Sequence, residues 1–150
     1  MSIVHQRTGG FDLAFLGELP LDEAKSWLTS LPGVGPKTAA VVLSFALAMP
    51  AFAVDTHIHR VSRRLGLIGP KVSANQAHDV LEHAIDPERV FAAHVYLITH
   101  GRRVCKAQRP TCSICVLRER CPASNELVRN GLTGIPGAFE KDPALAPKPL

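Results

Sequence analysis

The 150-residue chain is poor in aromatic side chains: six phenylalanines, one tyrosine and one tryptophan, 5% of the sequence. That scarcity speaks against a protein that grips single-stranded nucleic acid by stacking successive bases. No apolar run approaches the ~18 residues of a membrane span; the longest, Ala39 to Pro50, is interrupted by Ser44. Met1 to Gly10 has no apolar stretch ahead of a small-residue cleavage site, so secretion is not indicated and a cytoplasmic protein with no membrane partner is expected. Alternating β-type runs and hairpin signals are also missing, which argues against a sheet. At 46% hydrophobic and 20% charged residues, the composition excludes intrinsic disorder across the whole chain. The length suits one domain with an appendage.

What is present is helical periodicity. Asp22 to Ser30 puts Ala24, Trp27 and Leu28 on one face, and Trp27 reads as core. Pro36 to Ala48 is apolar almost all round, which predicts a helix buried at the centre of a bundle, opened by a proline whose missing N–H costs little there. Asp55 is placed to cap a helix over Thr56 to Leu65 that Gly66 ends. Ser73 and Gln76 have capping-box spacing ahead of Ala77, Val80, Leu81 and Ala84. Asp86-Pro87-Glu88 opens a further helix through His100, with Val90, Phe91, His94, Leu97 and Ile98 as the expected inner stripe. The fold class is therefore all-α.

Lysine and arginine outnumber acids 17 to 13, a net charge of +4, and the excess is concentrated. Between Gly101 and Cys121 stand Arg102, Arg103, Lys106, Arg109, Arg118 and Arg120 against one acid, Glu119. Such a stretch is either a solvated basic face, a contact for a polyanion, or compensation for a buried negative centre. The same stretch holds all four cysteines, as Cys105-x6-Cys112-x2-Cys115-x5-Cys121. Disulfides are not expected in a cytoplasmic chain of this helix content, and clustering this tight points to one metal centre. Zinc is one reading, although only Cys112 and Cys115 make the short knuckle of a zinc ribbon. Four spaced thiolates equally suit a [4Fe–4S] cluster, whose negative charge the basic residues would offset.

Leu31-Pro32-Gly33-Val34-Gly35-Pro36-Lys37 lies between two expected helices. Gly33 and Gly35 let the backbone bend tightly, and the next helix presents its unpaired N–H groups to the same spot. Such a turn is either a plain connection or a nest for one backbone phosphate, which gives position without sequence preference. Lys37 falls in the first turn of that helix, where the dipole disfavours a cation by about 0.3–1 kcal/mol. It reads either as a phosphate-binding or solvated lysine, or as an amine kept neutral for Schiff-base chemistry. Asp55 has two compatible readings: a helix cap, and a carboxylate that stabilises cationic character at a sugar carbon or moves a proton. His57, His59, His94 and His100 have no convincing ligand set; they are expected to pack or to contact phosphate.

Taken together, Leu31-Pro-Gly-Val-Gly-Pro-Lys-Thr-Ala-Ala40, Val54-Asp-Thr-His-Ile-His-Arg60, Leu97-Ile-Thr-His-Gly-Arg102 and the C-x6-C-x2-C-x5-C array resemble the endonuclease III branch of the helix-hairpin-helix DNA glycosylases. The resemblance runs from about Gly10 to Pro122. It implies base excision repair: a glycosylase that flips oxidised pyrimidines out of duplex DNA, then nicks the abasic site by β-elimination. Lys37 would be the nucleophile at C1′ and Asp55 the proton-transfer partner. Gly33, Val34, Gly35 and Thr38 would grip a backbone phosphate. Cys105, Cys112, Cys115 and Cys121 would hold a [4Fe–4S] cluster that braces Lys106 and Arg109 against DNA. The partner implied is double-stranded DNA carrying damaged bases or abasic sites, met by a monomer at bacterial or archaeal nucleoid DNA. Adenine-glycosylase cousins lack a lysine at the Lys37 position and form no imine, so Lys37 favours the lyase. A lysine-bearing glycosylase of another base specificity is the near alternative.

The family also carries an N-terminal segment that completes the bundle and supplies residues filling the gap left by the flipped base. This sequence starts midway through that architecture, so a truncated frame is expected, and with it impaired activity or a non-catalytic DNA-binding protein. The expected organisation is a partial glycosylase bundle over 1–104 (hairpin 22–48), a cluster loop over 105–121, and a disordered tail over 122–150, where five of the twelve prolines fall.

Overall fold

A computed structural model of the protein describes residues 3–130, and those residues form helices and turns with no strand among them. Helix α1 (Ile3–Thr8) and a 3-10 turn (Ala14–Glu18) precede the hairpin pair, α2 (Leu21–Thr29) and α3 (Pro36–Val41). Next come α4 (Thr56–Leu65), α5 (Ala74–Ala84), α6 (Val90–Arg103), the cysteine loop with two short 3-10 turns, and α7 (Ser124–Arg129). The expected tail thus begins with a helix; its remainder, 131–150, lies outside the described residues.

The local signals act as their chemistry requires. Asp55 Oδ1 accepts from the Ile58 N–H at 2.8 Å and caps α4. Gly66 ends that helix at φ 73°, in the left-handed region where a side chain would be strained. Both halves of the Ser73/Gln76 capping box are made. Two expectations need correction. The helix predicted from Pro36 to Ala48 is α-helical only to Val41, then widens into a π-turn over Val42–Ala46. Its buried face is Ala39, Ala40, Leu43 and Ser44, while Val41 and Phe45 are exposed, so it is not apolar-packed all round. Phe91, expected on the inner stripe of α6, is also exposed, because it faces outward beside Phe45 with ring centroids 5.1 Å apart. Trp27 is half-buried, edge-on to Phe15 at the border of the core.

Two apolar cores share one wall. Leu16, Ala24, Leu28, Leu31, Ala39, Ala40 and Leu43 fill the first, and Ile58, Ile68, Ala77, Leu81 and Val90 the second. Between them runs the buried segment Ala51–Val54. Ala51 and Ala53 enter the first core, Phe52 and Val54 the second, the two-residue alternation of an extended chain. A buried backbone outside a helix needs partners for its polar groups, and at Phe52 side chains supply them. Glu82 Oε1 accepts from the Phe52 N–H at 2.7 Å, and His78 Nδ1 donates to the Phe52 carbonyl at 2.8 Å. Burial pushes the His78 imidazole below its ordinary value, which keeps the ring neutral in this role. The second Glu82 oxygen pairs with Lys25 of α2.

Helices α4 and α6 cross closely at Gly101. A Cβ built there would stand 3.0 Å from His57 Cβ and 3.1 Å from Val61 Cγ2. Gly101→Ala should therefore push the two helices apart and destabilise the fold by about 1–3 kcal/mol, the cost typical of overpacking. Equilibrium denaturation measures it; an unchanged midpoint would mean the crossing is looser than the contacts imply.

Candidate active site and thiol cavity

Lys37 and Asp55 come from different elements, the first turn of α3 and the cap of α4, yet line one cleft of about 240 Å³. Val41, Phe45, Ala53, His94, Ile98 and Arg102 complete its walls. Lys37 is exposed at the end of the hairpin, and Asp55 is half-buried with one oxygen committed to the Ile58 N–H. The cleft therefore juxtaposes an amine, a carboxylate, an imidazole and a guanidinium against an apolar wall. That set can attack an electrophilic carbon and handle the resulting charge and protons.

The hairpin turn adjoins Lys37. Gly33 sits at φ 83°, a conformation open to glycine, whereas Gly35 sits at φ −93° with nothing within 4 Å of a Cβ built on it. Nothing inside the protein thus requires glycine at 35; a close approach from outside would. The first-turn N–H groups of α3 receive no side-chain cap from Gly35 and stand beside exposed Thr38, whereas Val34 packs inward on the core.

The four cysteines converge on a second cavity, lined also by Arg64, His100, Val104, Pro110 and Arg118. Arg64 Nη1 donates to Cys105 Sγ at 3.3 Å, and His100 Nε2 lies 3.7 Å from Cys115 Sγ. Burial, then the neighbouring thiols, push the Cys112 thiol up; burial does the same for Cys115. Thiolate ligation of a metal centre here would release the Cys112 and Cys115 protons. Among the described residues no three metal-binding side chains are close enough to hold one ion. Two arginines of α4 bind the loop to the helix that Asp55 starts: Arg60 donates to the Cys105 carbonyl at 3.0 Å and the Gly101 carbonyl at 2.8 Å, and Arg64 donates to those of Lys106 and Ala107. Lys106 and Arg109 are exposed on that loop and do not line the cleft.

Sequence reasoning missed the cleft roles of Phe45, His94 and Arg102. Arg102 was visible as part of the basic stretch, but nothing in the sequence ties its side chain to Lys37. Of the four histidines expected to pack or to contact phosphate, His59 and His94 each meet a backbone carbonyl at 2.8–2.9 Å, His57 lies against Arg60, and His100 lines the thiol cavity.

Residues 24–45 match the helix-hairpin-helix motif. The chain is 49% identical over 94 residues to endonuclease III of Rickettsia prowazekii (strain Madrid E), a match covering 63% of this chain and 44% of that protein. It is 43% identical over 116 residues to endonuclease III of Bacillus subtilis (strain 168), covering 77% and 52%, and 42% identical over 105 residues to that of Escherichia coli (strain K12), covering 70% and 48%. Among solved structures, a trapped endonuclease III–DNA covalent intermediate matches with a TM-score of 0.69 at 38% identity, over 84% of this chain and 55% of that one. A non-covalent endonuclease III–DNA complex matches with a TM-score of 0.68 over the same shares. The chain spans about half the length of the curated relatives it matches.

Because Asp55 both caps α4 and faces the cleft, two substitutions separate its roles. Asp55→Ala should cost about 1 kcal/mol of stability through the lost cap, whereas Asp55→Asn, an equally good cap residue, should cost little. Chemical denaturation of the two variants checks this; equal losses would mean that the carboxylate charge, not the cap, holds the helix start.

Proposed function

We propose that this chain, which shares its sequence signature and helical fold with the endonuclease III family over the matched residues, is a base-excision DNA glycosylase that also nicks abasic sites through a lysine Schiff base. The observation that carries the reading is the meeting of Lys37 and Asp55 in one cleft beside the hairpin. In this mechanism a damaged base, an oxidised pyrimidine, is flipped into the cleft. The neutral Lys37 amine forms a bond to C1′ as the C1′–base bond breaks, and the base leaves with a proton. Opening of the sugar gives the imine. Loss of a C2′ proton then breaks the C3′–oxygen bond, which releases the 3′ strand as its phosphate, and water frees the lysine. The Asp55 carboxylate offsets positive charge at C1′ and carries protons in these steps. Gly33, Gly35, Thr38 and the first-turn amides of α3 hold a backbone phosphate, and Lys106 and Arg109 add contacts from the cysteine loop.

Cys105, Cys112, Cys115 and Cys121 would hold a [4Fe–4S] cluster. The donor set fits such a core: four thiols, and no other ligand type in that number, line one cavity, with the basic side chains of Arg64 and Arg118 beside them. When bound, the cluster supplies a brace for the loop that Arg60 and Arg64 tie to α4. The protein acts as a monomer on duplex DNA in the cytoplasm; among the described residues no helix is long and apolar enough to cross a membrane.

One observation favours a second reading, a DNA-binding protein without catalysis: Val41, Phe45 and Phe91 are exposed at and beside the cleft, so its apolar rim is uncovered.

Borohydride should trap a covalent adduct between the chain and abasic duplex, and Lys37→Gln should abolish it. Asp55→Asn should reduce nicking by about 10²-fold or more, the scale expected for a lost acid–base group. Salt-sensitive binding with no adduct would select the non-catalytic reading. The purified protein should contain iron, and Cys112→Ser should lower its iron content; stoichiometric zinc without iron would overturn the cluster assignment.

A further inference from the structure

His94 lines the cleft, and no step of the proposed lyase chemistry is assigned to it. It is 8% exposed, on the face of α6 turned toward Ala51–Val54, and its Nδ1 donates to the Ala53 carbonyl at 2.9 Å. A carbonyl only accepts, so Nδ1 carries a hydrogen in either charge state of the ring. The ring is itself held by edge contacts, with centroids 5.5 Å from Phe45 and 6.1 Å from Phe52. Its Nε2 has no hydrogen-bond partner among the described residues, yet is not among the sealed, unpaired polar atoms, so it opens on the cleft.

The Ala53 carbonyl matters because Asp55 lies only two residues beyond it. The segment reaches Asp55 in extended conformation, and Asp55 itself has φ −102° and ψ −179°. Phe52 is pinned on both its N–H and its carbonyl, by Glu82 and His78. Beyond it, the backbone of Ala53 and Val54 makes no hydrogen bond among the described residues except that of the Ala53 carbonyl to His94. His94 is thus the last anchor before the cap, and the Asp55 carboxylate hangs between that anchor and the Ile58 N–H.

We propose that His94 is a positioning residue for Asp55: by holding the Ala53 carbonyl through Nδ1 it aims the carboxylate at the cleft shared with Lys37. The inference rests on the lyase reading for its effect on rate, but its geometric half is independent of catalysis. Displacement of a reacting group by about 1 Å can cost 10²-fold, so a small slackening of this segment is enough to register.

The test uses the full chain with three readouts: the borohydride trapping rate on abasic duplex under single-turnover conditions, the duplex dissociation constant, and amide hydrogen exchange at Ile58, with Leu81 of α5 as a control for the fold. His94→Ala should slow trapping about 10- to 100-fold, leave duplex affinity unchanged, and speed exchange at Ile58 but not at Leu81. His94→Asn, whose side-chain amide reproduces the Nδ1 donor, should restore both trapping and Ile58 protection. Wild-type exchange at Ile58 in His94→Ala would overturn the proposal. So would His94→Asn trapping as slowly as His94→Ala with Ile58 protected, since Nε2 would then be the working atom. Absence of trapping by the unsubstituted chain would sink the lyase reading alone, because the Ile58 measurement still decides the anchor.

Discussion

The closeness of α4 to α6 at Gly101 is the constraint on which the rest of the arrangement depends. With hydrogen as its side chain, Gly101 lets the His57 backbone approach, and each end of the crossing then carries a site. Asp55 starts α4, and Arg102 comes directly after the glycine, so the crossing brings both to the cleft. Arg60 reaches the Gly101 carbonyl and the Cys105 carbonyl from the same helix, and Arg64 reaches the loop beyond. One helix pair therefore sets the distance between the Asp55 carboxylate and the cysteine cavity. On the proposed reading, a cluster in that cavity would brace α4 with no need to touch the substrate.

The buried segment Ala51–Val54 solves a different problem. Lys37 and Asp55 are separated in sequence by a helix, a π-turn and this segment, and flexible connection would leave their spacing undefined. The chain runs instead between two cores, alternating its side chains into both. Polar partners that a neighbouring strand would supply come from Glu82, His78 and His94. Each is costly to bury unpaired and each is paired. The Glu82–Lys25 ion pair extends the connection to α2, the first helix of the hairpin, so Lys37 and Asp55 are referenced to the same polar assembly. An exposed ion pair would contribute little to such a link; here the Glu82 side chain is 8% exposed and the Lys25 side chain 19%, which makes the pairing matter.

Much of this was legible because the signals are local. A cap, a capping box and a helix-ending glycine depend on a few neighbouring residues, and Asp55, Ser73/Gln76 and Gly66 all act as their spacing implies. The cysteine array and the motifs around Lys37 and Asp55 are equally compact in sequence, and they carry the likeness to endonuclease III. What was not legible depends on which surfaces meet. Helical periodicity puts Phe91 on the same stripe as Val90 and His94, but which edge of that stripe is covered is a tertiary fact: Val90 and His94 are buried and Phe91 is exposed. The same applies to Phe45, at the π-turn that ends the long apolar run. His94 looked like a packing histidine and is one; only the structure reveals that its carbonyl partner lies two residues before Asp55.

The exposed rim and the chemistry are connected by water. Val41 and Phe45 form one side of the cleft, with Phe91 against Phe45, and their exposure leaves Lys37 and Asp55 in contact with solvent. Charges a few ångströms apart interact weakly in water and several times more strongly once a low-dielectric surface replaces it. Any surface that covers Phe45 and Phe91 gains apolar burial and in the same motion dries Lys37 and Asp55. On the proposed reading the carboxylate would then bear on developing charge with little screening, while the Ile58 N–H holds one of its oxygens in place. Rigid placement of Asp55 is therefore the part of the site that must exist before anything binds, and dryness the part that binding supplies.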